Sequence, residues 1–199
     1  MVESGIFYGT FVDPLLNGLR KRVLHEIKRG EKVIDIACGT GAQCFTLAAK
    51  AGHVTGVDLS ESMICFARSK QAKSVFTNLE FTVCDATNLF LFPDNEFDVA
   101  ILSLALHQFS PDLYKPTLRE MKRVAKRIII VDYAVPLPRN YAGFGSRIAE
   151  FMAGVEHNRN FKSYYKRGGI NQILPDNGLF ITKSILIGKG AFQIATCRF

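Results

Sequence analysis

Residues 33–44 read Val33-Ile34-Asp35-Ile36-Ala37-Cys38-Gly39-Thr40-Gly41-Ala42-Gln43-Cys44, and this stretch decides the fold. Its apolar start predicts a buried strand, and the residues after the glycines predict the beginning of a helix. Gly39 and Gly41 let the backbone between strand and helix turn sharply and approach a ligand without a Cβ clash. A site for a nucleotide-like cofactor is therefore expected at this loop.

Asp35 is the charged residue of this otherwise apolar strand. A buried carboxylate costs several kcal/mol unless it is paired or hydrogen-bonded. We therefore expect Asp35 near the strand end, where a cationic or amine-bearing ligand, or backbone amides, can satisfy it.

The chain on both sides of this stretch alternates helices and strands. A helix that Asp13-Pro14 begins and Gly30 ends precedes the first strand. Further strands are predicted at 53–58, 79–84, 97–103 and 127–132, with helices following the glycine loop and at 61–73 and 113–125. Strand–helix–strand units of this kind form right-handed parallel crossovers.

The C-terminal part predicts an antiparallel addition to this sheet. A short helix at 170–174 is stopped by Pro175 and Gly178, and two strands at 179–187 and 191–198 are joined by Gly188-Lys189-Gly190. Such a short glycine link permits only a hairpin. We predict a doubly wound, Rossmann-like α/β sheet of seven strands, mostly parallel with the last strand antiparallel, and helices on both faces. Ligands are expected at the carboxyl ends of the strands.

Composition is that of an ordinary globular chain, with 199 residues, 48% hydrophobic and 22% charged. We predict a single domain over 1–199, with an N-terminal cap and helix at 1–30 and an inserted segment at 133–168. No stretch approaches the roughly 18 consecutive apolar residues of a membrane span, and the N-terminus lacks the features of a signal peptide. A cytoplasmic location is expected.

Charge and cysteine usage narrow the function classes. The net charge of +7 comes from short basic groups, such as Arg20-Lys21-Arg22 and Lys122-Arg123, that lie mostly on polar sides of predicted helices. This distribution favours a solvated basic surface over a nucleic-acid footprint. The five cysteines contain no CxxC pair, so reduced, buried residues are expected rather than a disulfide or metal site.

Four stretches together resemble the class I S-adenosylmethionine-dependent methyltransferases, in particular the small-molecule branch with ubiquinone and menaquinone C-methyltransferase-like proteins. The similarity is clear from Val33 to about Val131 and loose elsewhere. The stretches are Asp35 to Gly41, Gly56-Val57-Asp58-Leu59-Ser60 with Met63, Cys84-Asp85-Ala86 with Leu91-Phe92-Pro93, and Phe97-Asp98-Val99 leading to Leu104-Ala105-Leu106-His107-Gln108-Phe109.

The resemblance implies S-adenosylmethionine as cofactor, S-adenosylhomocysteine as product, and a role for each motif residue. Asp35 would lie under the methionine ammonium, Asp58 would accept both ribose hydroxyls, and Asp85 would accept from the adenine amino group. Gly39 and Gly41 would lie against the cofactor, and Leu59 and Met63 would sandwich the adenine ring. The implied cofactor-binding set is Asp35, Ala37, Cys38, Gly39, Gly41, Asp58, Leu59, Met63, Asp85, Ala86 and Ser103.

Structural alternatives remain open for several of these residues. Asp35 is also compatible with a capped strand-end carboxylate, Asp58 with an acid at a helix start, and Met63 with plain core. Ala37 stands where many relatives have the first glycine of the loop, which leaves less room near the cofactor.

The acceptor side carries an aromatic segment and three candidate bases. Aromatic residues of 133–168 and the N-terminus are expected to close over the strand ends as a lid that excludes water, although a small second core is an alternative. The candidate lid residues are Phe11, His107, Tyr141, Phe151, His157 and Arg159. In-line displacement needs alignment more than a side-chain nucleophile. If a base is needed, His107, Tyr8 and His157 are hypotheses for it.

Rival functions fit the sequence less well. A dinucleotide-binding Gly-x-Gly-x-x-Gly motif starting at Gly39 would place its third glycine at Cys44. Ser103-Leu104-Ala105-Leu106 lacks the Pro-Pro-aromatic motif of amino-directed nucleic-acid methyltransferases. A small-molecule acceptor is therefore the default prediction. A cofactor-binding sensor or scaffold without catalysis, and an RNA or protein methyltransferase, stay open as alternatives.

Overall fold

The structure is a computed structural model that describes residues 16–140, 143 and 154–199. The predictions for Tyr8, Phe11, Tyr141 and Phe151 lie outside the described residues.

Helices and strands alternate along the described chain in the predicted order. The strands are β1 (Lys32–Ile36), β2 (His53–Asp58), β3 (Leu79–Val83), β4 (Val99–Ser103), β5 (Ile128–Tyr133), β6 (Phe180–Ile187) and β7 (Phe192–Arg198). The helices are α1 (Asn17–His25), α2 (Ala42–Ala48), α3 (Glu61–Gln71), α4 (Pro111–Val124), α5 (Val155–Lys166) and α6 (Ile170–Asp176), with a 3₁₀ turn at Leu106–Gln108.

The described strands form one seven-stranded sheet in the order β3-β2-β1-β4-β5-β7-β6. The pairs from β3 to β5 are parallel, and β7 runs antiparallel to both β5 and β6. This confirms the predicted fold class. Because the chain passes from the edge strand β3 back to β4 beside β1, the carboxyl ends of β1 and β4 flank the crevice where ligands bind in such sheets.

Alternate residues of each central strand enter a different core. Ile34 and Ile36 of β1 pack on one face of the sheet, while Val33 packs on the other with Val99 and Ile101 of β4. Burial on both faces explains the near-continuous apolar runs of these strands.

Three predicted helix boundaries are wrong for physical reasons. α1 ends at His25, five residues before the predicted end at Gly30, because the N–H groups of Glu26 and Ile27 turn to the carbonyls three residues back, Val23 and Leu24. α4 begins at Pro111, two residues before the predicted start, because proline is well suited to the first helical position. α6 continues through Pro175 to Asp176. Its buried residues Ile170, Ile173 and Leu174 hold the last turn in place although Pro175 lacks an N–H donor.

Two surface predictions also need correction. Cys65 is exposed on α3, whereas the cysteines were expected to be buried. Arg123 is not a solvated basic residue, since its guanidinium donates to the carbonyls of Leu89 and Phe92, each at 2.8 Å, and pairs with Glu120. It therefore anchors the connection between β3 and β4 to α4.

Within the described ranges, no helix is both long and apolar enough to cross a lipid bilayer.

Candidate cofactor and acceptor site

The loop after β1 bends through three residues with positive φ, namely Ala37 (54°), Gly39 (53°) and Gly41 (73°). A Cβ built on Gly39 would meet no atom within 4 Å, so this backbone borders open space. A Cβ on Gly41 would lie 2.6 Å from the Phe81 ring. Gly41 therefore has a packing reason to be glycine, and the prediction that both glycines contact the cofactor stays a prediction.

Asp58, at the end of β2, joins the first two loops. Its Oδ2 accepts a 2.8 Å hydrogen bond from the backbone N–H of Gly39, and its Oδ1 accepts one of 2.8 Å from Ser60. The hydroxyl of Ser60 in turn accepts from the backbone N–H of Met63 at the start of α3. The Asp58 carboxylate is thus fixed in orientation, and each oxygen retains acceptor capacity for a ligand hydroxyl.

Asp35 is buried in β1 with 1% of its surface exposed. Its Oδ2 accepts a hydrogen bond from the Cys44 thiol at 3.2 Å. Burial raises the pKa of Asp35 to about 7; the Cys44 hydrogen bond and Arg20 oppose the rise, and Asp58 adds to it. Such a carboxylate gains a proton or a cationic partner when one is present.

The ends of β2 and β3 place four predicted adenine-site residues in different environments. Leu59 is 70% exposed, whereas Met63 is buried. Asp85 is exposed, and its Oδ1 accepts from both the N–H and the hydroxyl of Thr87 at 2.8 Å. Ala86, next to it, packs against the core.

The end of β4 is strained in the same way as the end of β1. Ser103 is half-buried, and Leu104 after it has a φ of 54°. Left-handed backbone at a non-glycine residue is unfavourable, and such residues cluster at functional sites. Ala37 and Leu104 thus follow the two neighbouring strands that flank the crevice.

His107 of the 3₁₀ turn and Asp132 of β5 form a buried pair. The Nδ1 atom of His107 lies 2.6 Å from Oδ1 of Asp132, and the backbone N–H of His107 donates to Oδ2 of Asp132 at 3.0 Å. Asp132 has no exposed surface, and His107 has 2%. His107, which the sequence predicts as a functional residue, thus contacts Asp132, which the sequence analysis does not include among the site residues.

Aromatic rings surround this pair. The centroid of the His107 ring lies 4.9 Å from that of Tyr133, 5.5 Å from His157, 6.2 Å from Phe161 and 6.3 Å from Tyr164. We call these five residues the aromatic cluster. The structure thus brings the predicted lid residue His157 to His107. Arg159, another predicted lid residue, is exposed and pairs with Glu156 at 3.7 Å.

Sequence reasoning missed Asp132 and Arg20 as site residues. Asp132 occupies the end of β5 as Asp58 occupies the end of β2, so an acid at a strand end was the available signal. Arg20 was placed among solvated basic residues, although it acts electrostatically on Asp35. No signal in the sequence indicates that Arg20 lies close enough to Asp35 to affect its charge.

The residues present fit the cofactor implied by the resemblance. A buried acid suited to an ammonium group lies in β1, an oriented acid suited to hydroxyls ends β2, and an exposed acid suited to an amino group comes after β3, and these three strands are neighbours. Open space borders the backbone of Gly39. Charge, hydrogen-bond acceptors and room for such a molecule are thus present among these residues.

A comparison with family models matches residues 27–169 to the family described as methyltransferase domain. A demethylmenaquinone methyltransferase of Listeria monocytogenes is 38% identical over 106 residues, which cover 52% of this chain and 44% of that enzyme. Phosphoethanolamine N-methyltransferase 1 of Arabidopsis thaliana is 39% identical over 154 residues, covering 76% of this chain and 31% of that enzyme. The matches thus span less than half the length of these curated relatives.

A solved S-adenosylmethionine-dependent methyltransferase from Aquifex aeolicus has a similar structure. It is 23% identical, with a TM-score of 0.69 over 90% of this chain and 89% of that chain. At this identity the similarity establishes the fold.

Proposed function

The chain belongs to the methyltransferase domain family, and from this membership we propose that it transfers a methyl group from S-adenosylmethionine to a small-molecule acceptor by in-line displacement. S-adenosylhomocysteine is then the product. The observation that carries the proposal is the hydrogen bond from Gly39 to Asp58, which unites the glycine loop and the hydroxyl-binding acid in one site.

The proposed cofactor residues have distinct tasks. S-adenosylmethionine supplies an electrophilic methyl group on a sulfonium. Asp35 pairs with the ammonium group, Asp58 accepts the ribose hydroxyls, and Asp85 accepts from the adenine amino group through the oxygen that does not bind Thr87. The exposed Leu59 side chain covers one face of the adenine ring.

The acceptor is proposed to bind beside the aromatic cluster. Rings pack edge to face around His107, and an aromatic, apolar environment of this kind suits an aromatic acceptor such as a hydroquinone. The similarity to a demethylmenaquinone methyltransferase supports this class. His107 is proposed to accept the proton that the acceptor loses, and the segment 133–168 to close over the acceptor as a lid.

An amine acceptor is the second candidate. It is favoured by the similarity to a phosphoethanolamine N-methyltransferase, which extends over three quarters of the chain. Exposed Lys162 and Lys166 on α5 supply positive charge for a phosphate group.

Calorimetric titration separates the cofactor classes. We expect heat of binding with S-adenosylmethionine and none with NAD, and absence of heat with S-adenosylmethionine contradicts the proposal.

Transfer of labelled methyl groups then tests the acceptor. A demethylmenaquinol with a short isoprenoid tail and phosphoethanolamine serve as the two probes, with total RNA and denatured protein as controls. Methylation of either small molecule supports the proposal and identifies the class. Binding without transfer to any of them favours a sensor or scaffold, and label in RNA or protein favours those acceptors.

A further inference from the structure

We propose that Asp132 is a positioning residue that holds His107 in the tautomer with a proton on Nδ1, so that Nε2 takes the proton of the acceptor. This inference rests on the proposed function. It identifies the residue on which proton transfer from the acceptor to His107 depends.

Three N–H groups converge on the Asp132 carboxylate. Oδ1 accepts the backbone N–H of Tyr133 at 2.7 Å and lies 2.6 Å from Nδ1 of His107, while Oδ2 accepts the backbone N–H of His107 at 3.0 Å. Both oxygens accept from a backbone N–H, and the ionised carboxylate has no proton to donate. The Nδ1 atom is then the donor in its contact with Oδ1, and Nε2 is the acceptor nitrogen of the neutral ring.

The two backbone hydrogen bonds also fix the carboxylate itself. They bind both oxygens, one from the strand that carries Asp132 and one from the 3₁₀ turn that carries His107. Rotation of the Asp132 side chain would break both backbone hydrogen bonds, and rotation of the His107 ring would break its 2.6 Å contact with Oδ1. The imidazole is thus oriented before any acceptor binds, as general base catalysis requires.

Asp132 has the charge that a protonated His107 requires. Burial, together with the Asp132 carboxylate, raises the pKa of Tyr114 to about 12 and that of Tyr164 well above its ordinary value. Both tyrosines are therefore neutral near pH 7. Among residues 16–140, 143 and 154–199, the titratable and charged groups that face the pair include Tyr114 of α4, Tyr133 of β5, His157 and Tyr164 of α5, and Arg167.

The proton balance follows from this arrangement. The hydroxyl or ammonium proton of the acceptor moves to Nε2, and the bonding electron pair stays on the acceptor. That electron density forms the bond to the methyl carbon, while the sulfur–methyl bond breaks and its electrons remain on sulfur. With an amine acceptor the bond forms at nitrogen and the step is complete. With a hydroquinone the bond forms at a ring carbon, which then loses its own proton to water while the oxygen regains one, so that the ring is aromatic again. His107, positive at this stage and facing Asp132, then returns the proton to water.

Asp132→Asn in the full chain tests the proposal. The substitution replaces one carboxylate oxygen with an NH2 group, which donates hydrogen bonds. If this NH2 group faces a backbone N–H, two donors oppose each other. If it faces Nδ1 of His107, that nitrogen must be unprotonated, which is the other tautomer. With the demethylmenaquinol or phosphoethanolamine probe that is methylated, we expect kcat to fall about 10²–10⁴-fold. The KM of the acceptor and the Kd of S-adenosylmethionine should change less than about twofold. Asp176→Asn, an exposed acid on α6, is the matched control and should keep full activity.

The pH profile separates positioning from a purely structural role. The acidic limb of kcat/KM should move to lower pH by about 1–3 units in Asp132→Asn, because protonated His107 loses its anionic partner. His107→Ala combined with Asp132→Asn should be no slower than either single variant. An unchanged kcat, or a loss confined to KM with an unmoved limb, overturns the proposal.

A measurement on the unmodified protein covers the case in which Asp132→Asn does not fold. Nitrogen-15 NMR of the His107 ring should show the proton on Nδ1, and a proton on Nε2 of neutral His107 overturns the proposal. This readout does not need methyl transfer. Failure of the proposed function is seen separately, as the absence of S-adenosylmethionine binding in calorimetry.

Discussion

The backbone N–H of Gly39 donates a 2.8 Å hydrogen bond to Oδ2 of Asp58, 19 residues further along the chain. This contact links the loop after β1 to the end of β2, and the two strands are parallel neighbours in the sheet. The same carboxylate binds Ser60 through its other oxygen. One side chain thus links the two loops, and each of its oxygens keeps acceptor capacity for a further hydrogen bond.

Asp58→Asn should weaken S-adenosylmethionine binding about 10–100-fold. The amide nitrogen opposes the N–H of Gly39 or Ser60, and hydrogen bonds to a charged group are worth about 1.5–3 kcal/mol. Calorimetry measures the affinity. Asp112→Asn, an exposed acid at the start of α4, serves as the control and should bind like the unmodified protein. Equal affinities for the two variants would remove Asp58 from the site.

Asp35→Asn should stabilise the cofactor-free protein at pH 8. Burial raises the pKa of Asp35 from 3.8 to about 7. The folded state therefore binds more protons than the unfolded state between these values, and its stability falls as the pH rises through that window. The free energy of unfolding that is lost across the whole window is about 4 kcal/mol as an upper bound. Urea unfolding of both proteins at pH 5 and pH 8 should give a larger gain for the variant at pH 8.

The raised pKa of Asp35 also predicts that the affinity for the cofactor rises with pH. Only the ionised Asp35 carboxylate attracts an ammonium group, so S-adenosylmethionine should bind more tightly at pH 8 than at pH 6. In Asp35→Asn this pH dependence of the affinity should disappear. The variant should also bind S-adenosylmethionine about tenfold or more weakly than the unmodified protein at pH 8. Titrations of both proteins at the two pH values check this. A variant that is more stable yet binds as well as the unmodified protein would contradict the assignment.

Ala37→Gly should stabilise the protein by about 0.5–1 kcal/mol. The φ of 54° at Ala37 is left-handed, which costs an alanine about 1–2 kcal/mol, and the greater freedom of glycine in the unfolded chain offsets part of the gain. Ala72→Gly is the control of opposite sign, because Ala72 is exposed and has a φ of −58°. Thermal unfolding of the two variants should move the melting temperature in opposite directions.

The fold could be predicted because its signals are local in the sequence. Apolar runs without alternation indicated strands buried on both faces, and the short glycine link before β7 left only a hairpin. The end of α6 could not be found in this way, because buried contacts of Ile173 and Leu174 with the sheet allow a helix to pass through Pro175.

The site could be predicted in part. Acids at the ends of β1, β2 and β3 are visible in the sequence beside the glycine loop. The importance of Asp132 depends instead on the pairing of β4 with β5, which brings a residue 25 positions away to His107. Neither residue has a local pattern that reveals this contact.

Gly39 and Gly41 should respond differently to alanine, although both have positive φ. Gly39→Ala adds a Cβ to open space, so it should cost only the backbone strain of about 1–2 kcal/mol. Gly41→Ala adds the same strain and places the Cβ 2.6 Å from the Phe81 ring, so it should cost several kcal/mol more. Phe81→Leu should recover part of the second loss and none of the first. Urea unfolding of the single and double variants gives these differences. If Gly39 also borders the cofactor, Gly39→Ala should weaken S-adenosylmethionine binding far more than its small loss of stability explains, and unchanged affinity in a folded Gly39→Ala protein would place the cofactor away from this backbone.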